Sequence, residues 1–253
     1  MYKILANTIF LGKDVHFLPD CHSTNDIALQ MVRLRQVSEG SIIICGHQTK
    51  GKGQRGNVWE SEAGKNLTFS LVLKPDFLDI TDQFLLNMSI ANGVRIFLED
   101  YLPVVKVKWP NDILIPGEGK IGGILIENTF SGNSWEHAIV GVGLNINQKS
   151  FFNSKATSLA KITENIFDLN ELFRVLITRI EQSYLSLKRG KEKEIKNAYL
   201  THLYLRDQRA PFESRGEKFW GEITGIDSFG KLNIRLDSGE IQTFDLKEVM
   251  FLE

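Results

Sequence analysis

The sequence predicts an α+β fold, in which a mixed, mainly antiparallel sheet with helices packed on one side precedes a small β barrel. Two observations support this prediction. Strand-like and helix-like patterns are interspersed through residues 1–206, whereas 207–253 holds only short strand-like runs separated by turn residues. We therefore expect a larger domain over 1–206 and a barrel over 207–253 that depends on its larger neighbour for stability.

The first elements follow from hydrophobic periodicity. Ser23, with Asp26 three residues later, resembles a capping box at the start of a helix. The apolar, β-branched run at 41–45 predicts a buried strand, and a glycine-containing loop follows it at 46–65. The alternation over 67–73 predicts a second strand.

The rest of the chain continues this alternation. Thr81 is expected to cap a helix that carries an apolar face. The turn Pro116–Gly119 joins two strands into a hairpin. The remaining predicted elements are strands at 105–109, 112–115, 121–128 and 137–146, helices at about 169–188 and 191–204, and barrel strands at 220–226, 231–236 and 241–246.

Composition and charge narrow the class of protein. The chain has 253 residues, 42% of them hydrophobic, and its 30 basic and 31 acidic residues leave a net charge of −1. This balance gives no general reason to expect binding to nucleic acid or to a membrane surface. Asp14 and His16 interrupt the region where a signal peptide needs an apolar stretch. Cys21 and Cys45 lack the spacing of a zinc site, so we expect reduced thiols in a cytoplasmic protein.

The loop at 48–59, QTKGKGQRGNVW, is the first segment suited to ligand chemistry. Its glycines let backbone N–H groups approach an anion, and Lys52 and Arg55 supply positive charge. Trp59 is suited to cover a flat ring. A solvated surface loop with Trp59 as a packing lid explains the composition equally well, and the GxxxxGK[ST] pattern of a Walker A loop is absent.

Three further segments are weaker when each is taken alone. In KWPND at 108–112, Asn111 follows a strand and offers an amide to a purine edge, although a plain turn is the simpler interpretation. In GKIGGILIE at 119–127, Lys120 precedes two glycines that leave room on a strand face, although a surface hairpin lysine is common. In GVGLNIN at 141–147, Asn145 is placed to meet a sugar or phosphate, but a core strand is the simpler explanation.

Taken together and in this order, these segments resemble the biotin protein ligase family. The resemblance covers most of residues 20–147 and continues more weakly through the C-terminal part. It implies a class II synthetase-like catalytic domain followed by an SH3-like β barrel. It also implies that ATP with Mg²⁺ converts biotin into biotinyl-5′-AMP, and that a carrier lysine then attacks this mixed anhydride. The motifs are STND at 23–26, QTKGKGQRGNVW at 48–59, KWPND at 108–112, GKIGGILIE at 119–127 and GVGLNIN at 141–147.

The roles of individual residues follow from the resemblance alone. It implies that Lys120, Arg55 and Lys52 act on the carboxylate and phosphates. The implied biotin-binding residues are Ser23, Thr24, Asn25, Gln48, Gly51, Lys52, Lys120, Gly122 and Gly123. The implied nucleotide-binding residues are Arg55, Trp59, Asn111, Lys120 and Asn145. The residues that would bind the metal are unknown, and Mg²⁺ is expected to arrive with ATP.

One stretch departs from the family. Relatives often read GRGR where this chain has Gly51-Lys52-Gly53-Gln54, so both arginine forks and one charge are lost. We hypothesise that Arg55 compensates or that the adenylate is held less tightly.

The expected partner is the biotin carboxyl carrier domain of a carboxylase. Because the first motif begins at residue 23, we expect no winged-helix domain and no operator binding. Monomer and homodimer both remain open. Two alternatives also remain: a lipoate or octanoate ligase or transferase on the related fold, and a non-catalytic sensor of biotin or nucleotide.

Overall fold

A seven-stranded mixed sheet forms the larger part of the molecule. The computed structural model describes residues 2, 5–132 and 134–252, and the side chain of Arg55 lies outside this description. The strands of the sheet are β1 (Val15–Cys21), β2 (Ile42–Gln48), β3 (Leu67–Leu73), β4 (Lys106–Lys108), β5 (Asp112–Ile115), β6 (Gly119–Ser131) and β7 (Ser134–Leu144). Their order is β1-β2-β3-β7-β6-β5-β4. Only β1 and β2 pair in parallel among these described strands, as the mainly antiparallel prediction requires.

Helices cover both faces of this sheet. Successive strand residues point to opposite faces, so neighbouring positions of one strand meet different helices. The helices are α1 (Thr24–Arg33), α2 (Gln83–Glu99), α3 (Leu159–Thr163), α4 (Leu169–Lys188) and α5 (Glu192–Thr201). Ala28 of α1 packs with Ile43 and Val72, whereas Ile44 and Phe69 belong to the main core with α2 and α4. The expectation of helices on one side is therefore wrong, because the short α1 covers the second face.

The predicted elements are largely confirmed, with two corrections at helix starts. Ser23 is the N-cap of α1, but its side chain makes no capping hydrogen bond to the helix. Thr81 does not cap α2, because it lies inside a 3-10 turn at Ile80–Asp82 and Asp82 takes the N-cap position. β1, α3 and two short C-terminal strands were not predicted.

A five-stranded antiparallel sheet follows, as the small all-β prediction requires. Its strands are β8 (Arg209–Ser214), β9 (Glu217–Ile226), β10 (Leu232–Leu236), β11 (Ile241–Phe244) and β12 (Met250–Phe251), in the order β11-β10-β9-β8-β12. It packs closely on the larger part, since Trp109 Nε1 donates a hydrogen bond to the Gly230 carbonyl at 2.8 Å. One cluster of buried side chains contains both Val107 and Ile223. The division into two domains at 206/207 stays a prediction.

None of the helices in the described ranges is long and apolar enough to cross a membrane.

Candidate active site

The glycine-rich loop, the start of α1 and strands β5, β6 and β7 enclose a cavity of about 200 Å³. It brings together residues that are far apart in the chain. Nine predicted site residues line it: Ser23, Thr24, Asn25, Gln48, Lys52, Trp59, Asn111, Lys120 and Gly123. Gln54, Asp112, Gly141 and Gly143 line it as well.

Glycines form one wall of this cavity because side chains from elsewhere occupy the space above them. A Cβ added at Gly143 would collide with the indole of Trp59, and one at Gly141 would collide with Asn25 Oδ1. At Gly123 an added Cβ would lie 3.4 Å from both Lys120 Nζ and the Trp59 ring. The glycines therefore allow Trp59, Asn25 and Lys120 to approach the sheet closely.

Lys120 is the cation that the cavity holds most firmly. Its Nζ lies 2.6 Å from Asp112 Oδ1 and 5.6 Å from the centroid of the Trp59 ring. Its backbone is fixed on both sides, because Lys120 N donates to Lys155 O at 2.8 Å and Thr157 N donates to Lys120 O at 2.9 Å. The Lys120 side chain keeps 34% of its surface exposed, so the ammonium remains accessible to an anionic ligand.

Lys52 links the glycine-rich loop to α1. Its Nζ lies 2.5 Å from Asp26 Oδ1, and this hydrogen bond raises the pKa of Lys52 and keeps the side chain charged. The loop also closes on itself, since Trp59 N donates to Gly51 O at 2.9 Å and Gly53 N donates to Asn57 O at 2.7 Å. A 3-10 turn at Gln54–Gly56 forms its tip. The loop is thus folded over the cavity by its own backbone and one ion pair.

Two polar atoms of predicted site residues are buried without a protein partner among the described residues. They are Trp59 Nε1 and Asn145 Oδ1. The amide of Asn145 is turned toward the Thr157 carbonyl, to which its Nδ2 donates at 3.0 Å, and Asn111 Nδ2 donates to Ile124 O. Buried polar atoms are nearly always hydrogen-bonded in native proteins, so these two mark places where a ligand atom or water fits.

Some predicted residues lie elsewhere. Gly51 packs under the Trp59 backbone, outside the cavity lining. Gly122 points to the opposite face of β6, where an added Cβ would lie 2.9 Å from the Leu144 side chain, so it opens no room for a ligand. Asn145 follows β7 and is outside the lining. The backbone of Arg55 belongs to the 3-10 turn, and its predicted side-chain role falls outside the described structure.

The acidic partners of the lysines were not predicted from the sequence. Asp112 lies in KWPND, where a plain turn is the simpler interpretation, and Asp26 is predicted only as part of a capping box. Glu127 lies in GKIGGILIE with no predicted role, although its Oε2 accepts a hydrogen bond from Asn25 Nδ2 at 2.7 Å.

Comparison with known proteins now identifies the family. Residues 18–145, about half of the chain, match the Biotin/lipoate A/B protein ligase family. The chain belongs to this family.

The chain is also similar to individual ligases and to a solved ligase structure. The chain is 28% identical over 239 residues to the bifunctional ligase/repressor BirA of Bacillus subtilis (strain 168), covering 92% of this chain and 72% of that protein. It is 30% identical over 151 residues to the biotin–[acetyl-CoA-carboxylase] ligase of Mycobacterium tuberculosis, covering 56% of this chain and 53% of that protein. The biotin protein ligase from Aquifex aeolicus, solved in complex with biotin and ATP, superposes with a TM-score of 0.75 at 27% identity, covering 94% of this chain and 98% of that chain.

Proposed function

We propose that this chain is a biotin–protein ligase, which uses ATP to join biotin to a lysine of a carrier protein through biotinyl-5′-AMP. The observation that carries the proposal is the ammonium of Lys120, which an ion pair with Asp112 fixes at a glycine-walled cavity. The similarity to ligases whose solved structures contain biotin and ATP supports this choice of substrates.

The first step joins two anions. An oxygen of the biotin carboxylate attacks the α-phosphorus of ATP, and pyrophosphate leaves with the electron pair of the broken P–O bond. Lys120 offsets the repulsion between carboxylate and phosphate and stabilises the charge that collects on the phosphoryl oxygens. Lys52 is near enough to contribute after it leaves Asp26, and Arg55 is assigned to the phosphates by resemblance.

Mg²⁺ is proposed to arrive with the nucleotide. The described residues contain no cluster of three or more His, Cys, Asp or Glu side chains that would form a protein cage for a metal. Mg²⁺ is usually bound by one or two carboxylates together with substrate phosphates and water. Asp112 would supply such a carboxylate at the cavity. The ion would neutralise phosphate charge when bound.

The second step transfers the acyl group. The ε-amine of the carrier lysine attacks the carbonyl carbon of the mixed anhydride, an amide bond forms, the amine loses a proton, and AMP leaves. The anhydride is sensitive to water, and the loop folded over the cavity is placed to exclude it. Dissociation of Lys52 from Asp26 would let this loop open for substrate entry.

The head and nucleotide ends of the cavity are assigned by position. Ser23, Thr24 and Gln48 lie at the start of α1 and the end of β2, where they suit the ureido ring. Trp59 and Asn111 lie toward β5 and β6, where they suit the adenosine. Asn145 retains its predicted role there through its unpartnered oxygen.

The partner is proposed to be a biotin carboxyl carrier domain of a carboxylase. The near-neutral charge of the chain supports small-molecule and protein substrates rather than DNA, and a sequence-specific gel shift at physiological salt would contradict this. Unpaired Cys21 and Cys45 and the use of ATP fit a cytoplasmic location.

Pyrophosphate release measured as a single-turnover burst tests the proposal. The purified protein receives ATP and Mg²⁺ with either biotin or lipoate, in the absence of a carrier. A burst with biotin alone is expected. A burst with lipoate alone would transfer the chain to the lipoate branch of its family, and the lack of a burst with either acid would favour a sensor.

A further inference from the structure

A chain of four polar side chains lies behind the cavity wall. Ser70 Oγ lies 2.7 Å from Thr24 Oγ1 and 2.6 Å from Asn25 Oδ1, and Asn25 Nδ2 lies 2.7 Å from Glu127 Oε2. Ser70 is fully buried, while Thr24 and Asn25 expose 4% and 3% of their surface. Only Thr24 and Asn25 of these four residues line the cavity, so Ser70 and Glu127 must act through them.

The orientation of the Asn25 amide follows from its neighbours. Its Nδ2 faces two acceptors, the Glu127 carboxylate and the Leu125 carbonyl at 3.3 Å. An amide oxygen turned toward these acceptors would be repelled, so Glu127, with the longer Leu125 contact, fixes Oδ1 on the side of Ser70. Asn25 Oδ1 can therefore only accept a hydrogen bond from Ser70.

The positions of two hydroxyl protons then follow. Two oxygens as close as Ser70 Oγ and Asn25 Oδ1 need a proton between them, and only Ser70 can supply it. The equally short contact between Ser70 and Thr24 must then be filled by the proton of Thr24. The longer contact of 3.1 Å from Thr24 Oγ1 to Gln48 Oε1 then receives no proton, because the single hydroxyl proton of Thr24 is used toward Ser70; Gln48 Oε1 accepts the Thr24 N–H at 2.7 Å instead.

This arrangement gives the head of the cavity a defined polarity. Thr24 Oγ1 has used its proton and offers only lone pairs to the cavity. Gln48 has engaged its oxygen on Thr24, so its Nε2 is left as a donor. An acceptor beside a donor matches a cyclic urea, which has N–H donors beside a carbonyl acceptor.

We propose that Ser70 and Glu127 are positioning residues that fix Thr24 as a hydrogen-bond acceptor and thereby select an acid whose head group carries an N–H. This inference rests on the proposed function and deepens it. A dithiolane head, such as that of lipoate, would leave the buried Thr24 oxygen and the Gln48 amide unsatisfied. Sites built to hydrogen-bond a substrate N–H strongly reject analogues that lack this group.

The test compares biotin with two cyclic carbamate analogues, in each of which an oxygen replaces one ureido N–H with almost no change of shape. Dissociation constants are measured by calorimetry without ATP, so the readout does not depend on catalysis. The wild-type protein is expected to bind at least one carbamate about 100-fold more weakly than biotin, because ring oxygen and Thr24 oxygen would then face each other. In Ser70→Ala the Thr24 proton is free to turn to the ring oxygen. The ratio of the carbamate dissociation constant to the biotin dissociation constant should then fall below about tenfold.

Glu127 provides a second pair of variants that does not depend on a buried substitution. Glu127→Leu releases the Asn25 amide to flip and should also reduce the ratio. Glu127→Gln can still accept from Asn25 Nδ2 and should retain it. Thr68→Val is the matched control, since Thr68 is a buried hydroxyl residue on the same strand as Ser70 that donates to Cys45 O at 3.0 Å and has no link to Thr24.

The outcomes separate this inference from the function on which it rests. If the wild-type protein does not bind biotin, the proposed function fails. If it binds biotin and discriminates, but Ser70→Ala or Glu127→Leu discriminates equally well, the positioning role is overturned while the function stands. If Ser70→Ala does not fold, the comparison of Glu127→Leu with Glu127→Gln tests the positioning role, and equal discrimination by the two variants overturns it.

Discussion

At the scale of single residues, the site depends on how two lysines are held. The ion pairs of Lys120 with Asp112 and of Lys52 with Asp26 are partly exposed, and such pairs add little to the stability of a protein. Their effect is to place two ammonium groups beside the cavity. Lys120 is further fixed by its backbone, whereas Lys52 belongs to a loop. We therefore expect Lys120 to keep its position at the cavity and Lys52 to move with the loop.

Gln54 is the residue-scale difference from many relatives. It lines the cavity, and an arginine there would add a charge and a planar fork for a phosphate. We expect Gln54→Arg to slow the release of the bound adenylate several-fold. Trapped adenylate is measured after rapid filtration, and Gln36→Arg, an exposed position outside the site, is the control. Equal retention in wild type and Gln54→Arg would show that Gln54 has no part in holding the intermediate.

Sequence patterns predicted the cavity-lining residues better than the residues that support them. Lys120 and the strand glycines interrupt otherwise apolar runs, and the loop at 48–59 concentrates glycine and positive charge. Ser70 does not stand out, because it lies in an ordinary strand and its partners Thr24 and Asn25 are about 45 positions away. Which buried polar residue meets which is determined by sheet register, and a single sequence does not contain that information.

At the scale of elements, those with a clear sequence pattern were likewise predicted and those without one were not. Strands with clear alternation were predicted within a few residues, and β1 was not, because its VHFLPDC sequence contains Pro19 and Asp20. Its place at the edge of the sheet explains how proline is tolerated. The five-residue α3 is too short for helical periodicity to be visible.

The contact between α2 and α4 allows an element-scale prediction. A Cβ at Gly93 would lie 2.8 Å from Ile180 Cα and 3.1 Å from the Arg179 carbonyl oxygen, and backbone atoms cannot rotate away. Helix propensity alone would make Gly93→Ala stabilising by about 1 kcal/mol. We expect overpacking to reverse that sign and lower the free energy of unfolding by about 1–2 kcal/mol.

Urea denaturation measures this change. Gln182→Ala, at an exposed position of α4, is the control and should change stability much less. A Gly93→Ala protein that is more stable than wild type would contradict the close approach of the two helices.

At the scale of the whole molecule, the C-terminal sheet is joined to the larger part through Gly230. This residue has φ +87°, accepts the Trp109 indole hydrogen bond, and an added Cβ would collide with the Phe84 ring. Gly239 has nearly the same backbone conformation, φ +89°, but has nothing within 4 Å of an added Cβ. The two glycines therefore separate backbone strain from contact between the C-terminal sheet and α2.

We expect Gly239→Ala to lower the free energy of unfolding by about 1 kcal/mol, from strain in the left-handed region alone. Gly230→Ala should cost about 1–3 kcal/mol more, because it also displaces Phe84 from the junction. Equilibrium unfolding of both variants measures the difference. Equal losses would mean that the turn at Gly230 is not packed against Phe84 of α2 as described.

We propose that Lys120 promotes formation of the biotin adenylate, and the rate of single-turnover pyrophosphate release from Lys120→Ala tests this role. With saturating biotin, ATP and Mg²⁺, we expect the rate to fall by a factor on the order of 10²–10³, the usual loss when one preorganised charge-stabilising group is removed. Lys149→Ala, which removes an exposed lysine outside the cavity, should leave the rate unchanged. A Lys120→Ala protein that releases pyrophosphate as fast as wild type would show that Lys120 does not promote adenylate formation.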